Sequence, residues 1–270
     1  MRAAARIIAE ADGRGGTRLA VLRGESPLLL RRTGPPAASG TVTVHLVGGA
    51  AGPLRGDELR LDLEVGPGAR LDVRSVAASL ALPGRPGAPP SRLEVHARVA
   101  AGATLRWMPE PLIAAAGCHH LVGTDVRVAA GGTLLWRDDL VCGRHGEPAG
   151  DVRTDVTIRY ADATLYRHEL AVGPSAPGWS GAAVLGSHGA NPLGGGRAVG
   201  SVIFAGTNLP PAGLLGGDAA IMPLAGPGML ATAVGADIRQ VRAALDPLST
   251  TAAYLAPPAS QPLAATTPRP

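Results

Sequence analysis

Apolar and polar residues alternate with a period of two along most of this chain, and only one stretch carries the 3.6-residue period of a helix. Residues 41–47 put Val42, Val44 and Leu46 on one face, and residues 59–65 do the same with Leu59, Leu61, Leu63 and Val65. The pattern resumes over 92–99, with Leu93, Val95, Ala97 and Val99, and again over 122–128, 134–141, 152–160 and 165–172. Alternation of this kind is that of a pleated strand with one buried face. Shorter strands are predicted at 6–11, 17–23 and 28–30. A helix is predicted over 235–245, where Ile238, Val241, Ala244 and Leu245 share a face opposite Arg239 and Arg242, and Pro247 is its expected stop.

Four strands open from similar turns: Gly68-Ala69-Arg70-Leu71, Gly102-Ala103-Thr104-Leu105, Gly131-Gly132-Thr133-Leu134 and, without glycine, Asp162-Ala163-Thr164-Leu165. From leucine to leucine the steps are 34, 29 and 31 residues. A recurrence near thirty residues with two strands per unit implies layers that bury their apolar faces on one another. The expected fold is therefore all-β, a distorted β-helix-like stack of antiparallel sheet layers with one or two short helices near the C-terminus. The Pro/Gly-rich segment 83–91 is predicted to be a loop. Residues 173–217 are predicted to be long loops over the layers, strand-like only at 182–185 and 199–205. A single β-rich domain is expected over 1–248, and the Ala/Pro/Thr tail over 249–270 is expected to be disordered.

Composition sharpens this picture. With Gly 38, Pro 25 and one Phe, the core must be built from Leu, Val, Ile and Ala. All 25 basic residues are arginine. A phosphate-cradling loop of the Walker type needs a lysine, as does Schiff-base chemistry, so both are excluded. A net charge of +4 with scattered arginines and few aromatics argues against nucleic-acid binding. No apolar run is long enough for a membrane helix. Residues 1–16 offer Arg2 and Arg6 but no apolar stretch of signal-peptide length, so a cytoplasmic location with Cys118 and Cys142 reduced is expected.

Candidate chemistry is sparse. Ser180 in Gly178-Trp179-Ser180-Gly181 only loosely resembles a nucleophile turn and reads as a loop serine. Cys118, His119 and His120 form the densest group of metal-ligand types, with Cys142 and His145 second, but adjacent strand residues point to opposite faces, so at most two of the three can share one ion. Asp138 and Asp139, also adjacent, should point apart, and they read as a solvated strand edge.

Several segments, taken together, resemble the urease accessory protein D family (UreD/UreH). Gly16-Thr17-Arg18-Leu19 followed by Ser26-Pro27-Leu28-Leu29-Leu30-Arg31 is similar to the family's opening. Gly52-Pro53-Leu54-Arg55-Gly56-Asp57-Glu58-Leu59 resembles its Gly-Asp-x-Leu turn, and Arg74-Ser75-Val76-Ala77-Ala78-Ser79 occupies the place of its Ala-Ala strand. Trp107-Met108-Pro109-Glu110-Pro111 resembles its Leu-Pro-x-Glu segment, and Gly143-Arg144 with Gly146-Glu147 its Gly-Arg to Gly-Glu loop. The chain departs from the family at Val76 and Leu80, where Gln and Lys are usual.

The resemblance implies a non-enzymatic maturation chaperone of β-helix-like fold that binds apo-urease, accessory protein F and, through it, the GTPase accessory protein G. It implies nickel in transit rather than a resident cofactor, with GTP held by the partner. Asp57, Glu110 and Glu147 are the candidates to line such a passage, with Arg144 pairing one of them. Two other readings compete: a β-solenoid hydrolase acting on polysaccharide through acids such as Glu110 and Asp139, and a nickel store built on Cys118, His119 and His120.

Overall fold

The computed structural model describes residues 1–34, 39–177, 179 and 196–250. Two sheets face each other. The first has seven strands: β1 (Arg2–Ala11), β2 (Thr17–Gly24), β5 (Glu58–Val65), β8 (Ser91–Val99), β11 (His119–Val128), β13 (Asp151–Tyr160) and β14 (Ala163–Val172), in the order β14-β13-β11-β8-β5-β1-β2. The second contains β3 (Leu28–Thr33), β4 (Val42–Gly48), β6 (Arg70–Ser75), β9 (Thr104–Met108), β12 (Thr133–Cys142), β15 (Ala198–Ala205), β16 (Gly213–Gly216), β17 (Ala219–Pro223) and β18 (Gly228–Gly235). They lie in the order β16-β17-β18-β15-β12-β9-β6-β4-β3, and the short strands β7 (Ser79–Ala81) and β10 (Leu112–Ala114) join this sheet beside β12.

The chain coils between the sheets, from β5 to β6, β8 to β9 and β11 to β12. Successive coils pair in parallel, β5 with β8 and β8 with β11 in the first sheet, β6 with β9 and β9 with β12 in the second. The stack is as the recurrence predicts, but its layers are parallel where antiparallel ones were expected; antiparallel pairs lie at the flanks. Each coil turn needs one left-handed residue, supplied by Gly68 (φ 72°), Gly102 (φ 67°) and Gly131 (φ 77°). The leucines that follow come into direct register, Leu71 beside Leu105 and Leu105 beside Leu134. All three are fully buried. Leu105→Ala, in the middle of this ladder, is expected to cost about 2–5 kcal/mol of unfolding free energy, read by urea denaturation.

The fourth turn behaves differently. Ala161 (φ 47°) and Asp162 (φ 66°) are both left-handed, which makes a two-residue hairpin, and β14 folds back antiparallel on β13 in the same sheet. The glycine-free variant of the turn therefore ends the coil instead of continuing it.

Beyond residue 172 the chain is more ordered than predicted. The strand expected at 199–205 is β15; β16 falls in the segment expected as loop, and β17 and β18 lie almost wholly where no element was predicted, because Ala- and Gly-rich strands have weak intrinsic propensity. Helix α1 (Ile238–Thr250) runs five residues past its predicted end. Asp237 caps it, accepting the backbone N–H groups of Arg239 (2.9 Å) and Gln240 (3.1 Å). Pro247 lies inside the helix rather than stopping it. Ser249, placed at the start of a disordered tail, is helical and buried. Thr250 ends the helix, and residues 251–270 of that tail, Ser180 and the strand expected at 182–185 lie outside the described residues.

Packing of α1 creates a core separate from the one between the sheets. Between the sheets lie Ile7, Leu63, Leu71, Leu105, Val126, Trp136 and Ile158, whereas Leu135, Val202 and Phe204 on the outer face of the second sheet bury Val241 and Leu245 of α1. Among the described residues no helix is long and apolar enough to cross a membrane.

Candidate functional site

Where the coils turn, the sheets are sealed by Val65, Val99, Val128 and the leucine ladder. At the opposite end they diverge around a cavity of about 670 Å³. Its walls are the beginnings of β5, β8, β11 and β13 with the later half of β14, and the ends of β4, β6, β9 and β12 with the beginning of β15, and its mouth is formed by residues 75–80 with Pro109 and Glu110. The inward strand positions, apolar at the sealed end, become polar here: His120, Thr124, Thr154, Tyr166 and His168 from the first sheet, Asp138 and Ser201 from the second.

Asp138 and Asp139 do point apart, but neither lies on a solvated edge, because β12 is an interior strand flanked by β9 and β15. Asp138 faces the cavity, its Oδ2 accepting the Trp136 indole N–H at 2.8 Å. Trp107 stacks on Trp136 with ring centroids 5.0 Å apart, and its own indole N–H helps to stabilise the same carboxylate without reaching hydrogen-bond geometry. Burial pushes the Asp138 carboxyl up to about 6; the Trp136 bond opposes this and the neighbouring Asp139 adds to it. Burial, reinforced by the charge of Asp138, raises the phenol of Tyr166 to about 12, and this ring stacks on His168 at 5.9 Å.

His120, a sequence candidate for metal binding, also opens on this cavity. Burial depresses its pKa to about 4, against a bond to Ser91 and the charge of Asp57. Its Nδ1 lies 2.9 Å from Ser91 Oγ, whose own proton is donated to the His119 carbonyl at 3.2 Å. Nδ1–H is then the donor, and the neutral ring keeps its Nε2 lone pair available. Above pH 6 the cavity thus presents an ionised carboxylate and a neutral imidazole, both donors that a divalent transition metal accepts. Among the described residues no three metal-ligand side chains converge, so the arrangement offers weak stations rather than a closed site.

On the other face of β12, Asp139 lies under α1. Its Oδ2 accepts the Arg137 Nε–H at 2.9 Å and lies 3.7 Å from Arg242 Nε. Burial raises its pKa, and Arg137 and Arg242 oppose that. Arg137 reaches Asp246 at 2.6 Å, and Arg242 of the helix bonds Glu110 at 2.7 Å. Glu110, a predicted lining residue, is therefore at the cavity mouth and clasped by the helix.

The family model described as UreD urease accessory protein matches residues 1–265. The chain belongs to the UreD family. It is 48% identical over 253 residues to Urease accessory protein UreD 3 of Streptomyces griseus, covering 91% of this chain and 95% of that one. It is 42% identical over 272 residues to Urease accessory protein UreD of Parafrankia sp., covering 92% and 88%. It is also 43% identical over 252 residues to the Streptomyces coelicolor protein of that name, covering 91% and 94%.

The remaining predicted residues of this UreD-family chain sit away from the cavity. Asp57 is buried in the turn before β5, accepting the Leu54 N–H at 2.9 Å and the Met1 ammonium at 2.5 Å. Arg144 and Glu147 do pair, Nε to Oε2 at 2.7 Å, in the loop after β12. Arg197 holds that loop through the carbonyls of Cys142 (2.8 Å) and Glu147 (2.5 Å). Cys118 and Cys142 are free thiols in one apolar cluster, pushed up to about 11 and 12 by burial and so protonated at neutral pH. His119, on the opposite face of β11 from His120, looks outward. Tyr166 and His168 went unrecognised in the sequence, and Asp138 was set aside there as a solvated edge. Their signal was parity: Asp138 falls between Trp136 and Leu140 on the inward positions of its strand.

Proposed function

We propose that this chain is a non-catalytic scaffold of urease maturation, binding apo-urease with accessory proteins F and G, and that nickel passes through the cavity between its sheets. The supporting observation is that cavity, whose carboxylate (Asp138) and neutral imidazole (His120) are found in a UreD-family fold. Nickel is cargo here and not a resident ion. A conduit must hold its ion weakly enough to release it, and two isolated donors do so where a closed four-ligand site would not. With no lysine to form a nucleotide loop, the GTP of this process belongs to protein G. The hydrolase reading loses its support because Arg242 stands between Glu110 and Asp139, so the two acids face an arginine instead of an open groove.

The test is urease activation in nickel medium, in a host carrying the cognate urease operon with this reading frame deleted or restored. Urease protein is expected to accumulate without nickel or activity until the frame returns. Activity indifferent to the frame would overturn the proposal.

A further inference from the structure

A metal ion in passage needs only a few donors at about 2 Å, and the cavity between the sheets holds far more space and hydrocarbon than that. Its volume of about 670 Å³ falls among those of small-molecule sites, roughly 300–1,000 Å³. Leu46, Leu80, Leu93, Val122, Leu170 and Leu230 line it, and each is only partly buried. At the rim, residues 50–53 and 75–80 carry no charge, and Val76 is 57% exposed. Such walls favour a ligand that brings apolar surface with it.

The charge of that ligand follows from the polar groups. Among the described residues no arginine lines the cavity, and the chain has no lysine. Three carboxylates do line it, and two are already paired: Glu110 accepts from Arg242 at 2.7 Å, and Asp139, on the far face of β12, from Arg137 at 2.9 Å. Asp138 accepts the Trp136 indole N–H at 2.8 Å and has no ion pair among the described residues. A neutral donor leaves its negative charge in place, and a charge taken from water calls for an opposite one. In the facing sheet the stacked rings of Tyr166 and His168 stand near enough for this charge to act on the Tyr166 phenol. The face of a tyrosine ring also attracts cations. The chain has Trp 3 and Tyr 3, and Trp107, Trp136 and Tyr166 gather about this one carboxylate.

We propose that the cavity binds an organic monocation, a protonated amine or quaternary ammonium bearing an alkyl or aryl group, with its charge on Asp138 and the Tyr166 ring and its hydrocarbon along the leucine wall. This ligand is distinct from the nickel cargo. Its test contains neither nickel nor urease, so the outcome is separate from that of the activation experiment. Isothermal titration calorimetry on the full chain at pH 7.5 compares hexyltrimethylammonium with tetramethylammonium, n-hexanol and hexanoate. Hexyltrimethylammonium should bind saturably, about tenfold or more tighter than n-hexanol and hexanoate. Tetramethylammonium should bind more weakly, by about three- to fourfold for each CH2 that no longer enters the cavity. Asp138→Asn keeps a carbonyl for the Trp136 N–H; it should weaken binding of the hexyl cation about tenfold while n-hexanol changes by less than about twofold. Glu64→Gln, an exposed carboxylate paired with Arg6 outside the cavity, should leave both within about twofold of the parent. No saturable binding by the unaltered chain would overturn the proposal. So would n-hexanol or hexanoate binding as tightly as the hexyl cation, or Asp138→Asn binding that cation as well as the parent does.

Discussion

Asp138→Asn is expected to raise the thermal midpoint at pH 7.5 while lowering urease activation. The carboxyl titrates at about 6 in the fold against 3.8 for a free aspartate. Between those values the folded state binds more protons than the unfolded state, so stability falls as pH rises through this window, and the loss is complete above pH 6. A shift of this size corresponds to on the order of 1–3 kcal/mol. Asparagine carries no charge to desolvate, and its carbonyl oxygen can still accept the Trp136 N–H. The gain should therefore be largest at pH 7.5 and vanish near pH 4. His120 contributes the opposite slope. Its pKa is depressed to about 4 in the fold from 6.5, so its contribution is present above pH 6.5 and is lost as pH falls through 4. In the Asn variant this slope alone should remain from the pair. Thermal melts from pH 4 to 8, paired with urease activation in cells, read both effects. Unchanged melting at pH 7.5 would show that Asp138 is not desolvated, and unchanged activation would remove it from the passage. A group that costs stability yet faces the cavity is what a functional site displays.

Gly200→Val is expected to unseat helix α1. A Cβ at Gly200 would lie 2.5 Å from Val241 Cγ1, 2.6 Å from Asp139 Oδ1 and 3.0 Å from Leu245 Cδ1. Both helix residues are fully buried, so neither has room to retreat. Lifting the helix exposes Leu135, Val202 and Phe204, and it separates Arg137 from Asp246 and Arg242 from Glu110 and Asp139. Leaving buried charges unpaired costs about 3–5 kcal/mol, and the lost apolar packing adds to that. The variant should show early proteolytic cleavage within 238–250 and a lowered urea midpoint. Gly213→Val, where nothing lies within 4 Å of the added carbon, is the control and should behave as the parent protein. If both variants melt alike, α1 is not held by this contact.

Period-two patterning made the coil strands legible, because a side chain's parity decides its face, and the recurrence of Gly-x-x-Leu gave the leucine ladder. Parity could equally have exposed Asp138, since a carboxylate in phase with Trp136 and Leu140 must point inward; reading the two aspartates as a solvated edge ignored the flanking residues. The hairpin at Ala161–Asp162 differed from the other turns in sequence by its missing glycine, a distinction with a structural meaning that similarity alone concealed. Other features were beyond local pattern. Arg242 and Glu110 meet across 132 residues of chain, and no periodicity links them. β18 was hidden by its alanines and glycines, and its place is set by pairing with β15 along its whole length. The Arg144–Glu147 pair agrees with the expectation, drawn from the family resemblance, that Arg144 pairs one of the three candidate carboxylates.

The turns also decide how this architecture can vary in length. Each glycine turn hands the chain from one sheet to the other with strands still parallel, so a rung of about thirty residues is a module whose two ends match. An added rung would extend both sheets by one strand, about 4.8 Å, and lengthen the space between them without new turn chemistry. The left-handed pair Ala161–Asp162 breaks that equivalence by reversing strand direction within a single sheet. Growth by duplication is thus open to the interior of the stack and closed at β14, where the hairpin acts as a terminator written in two residues.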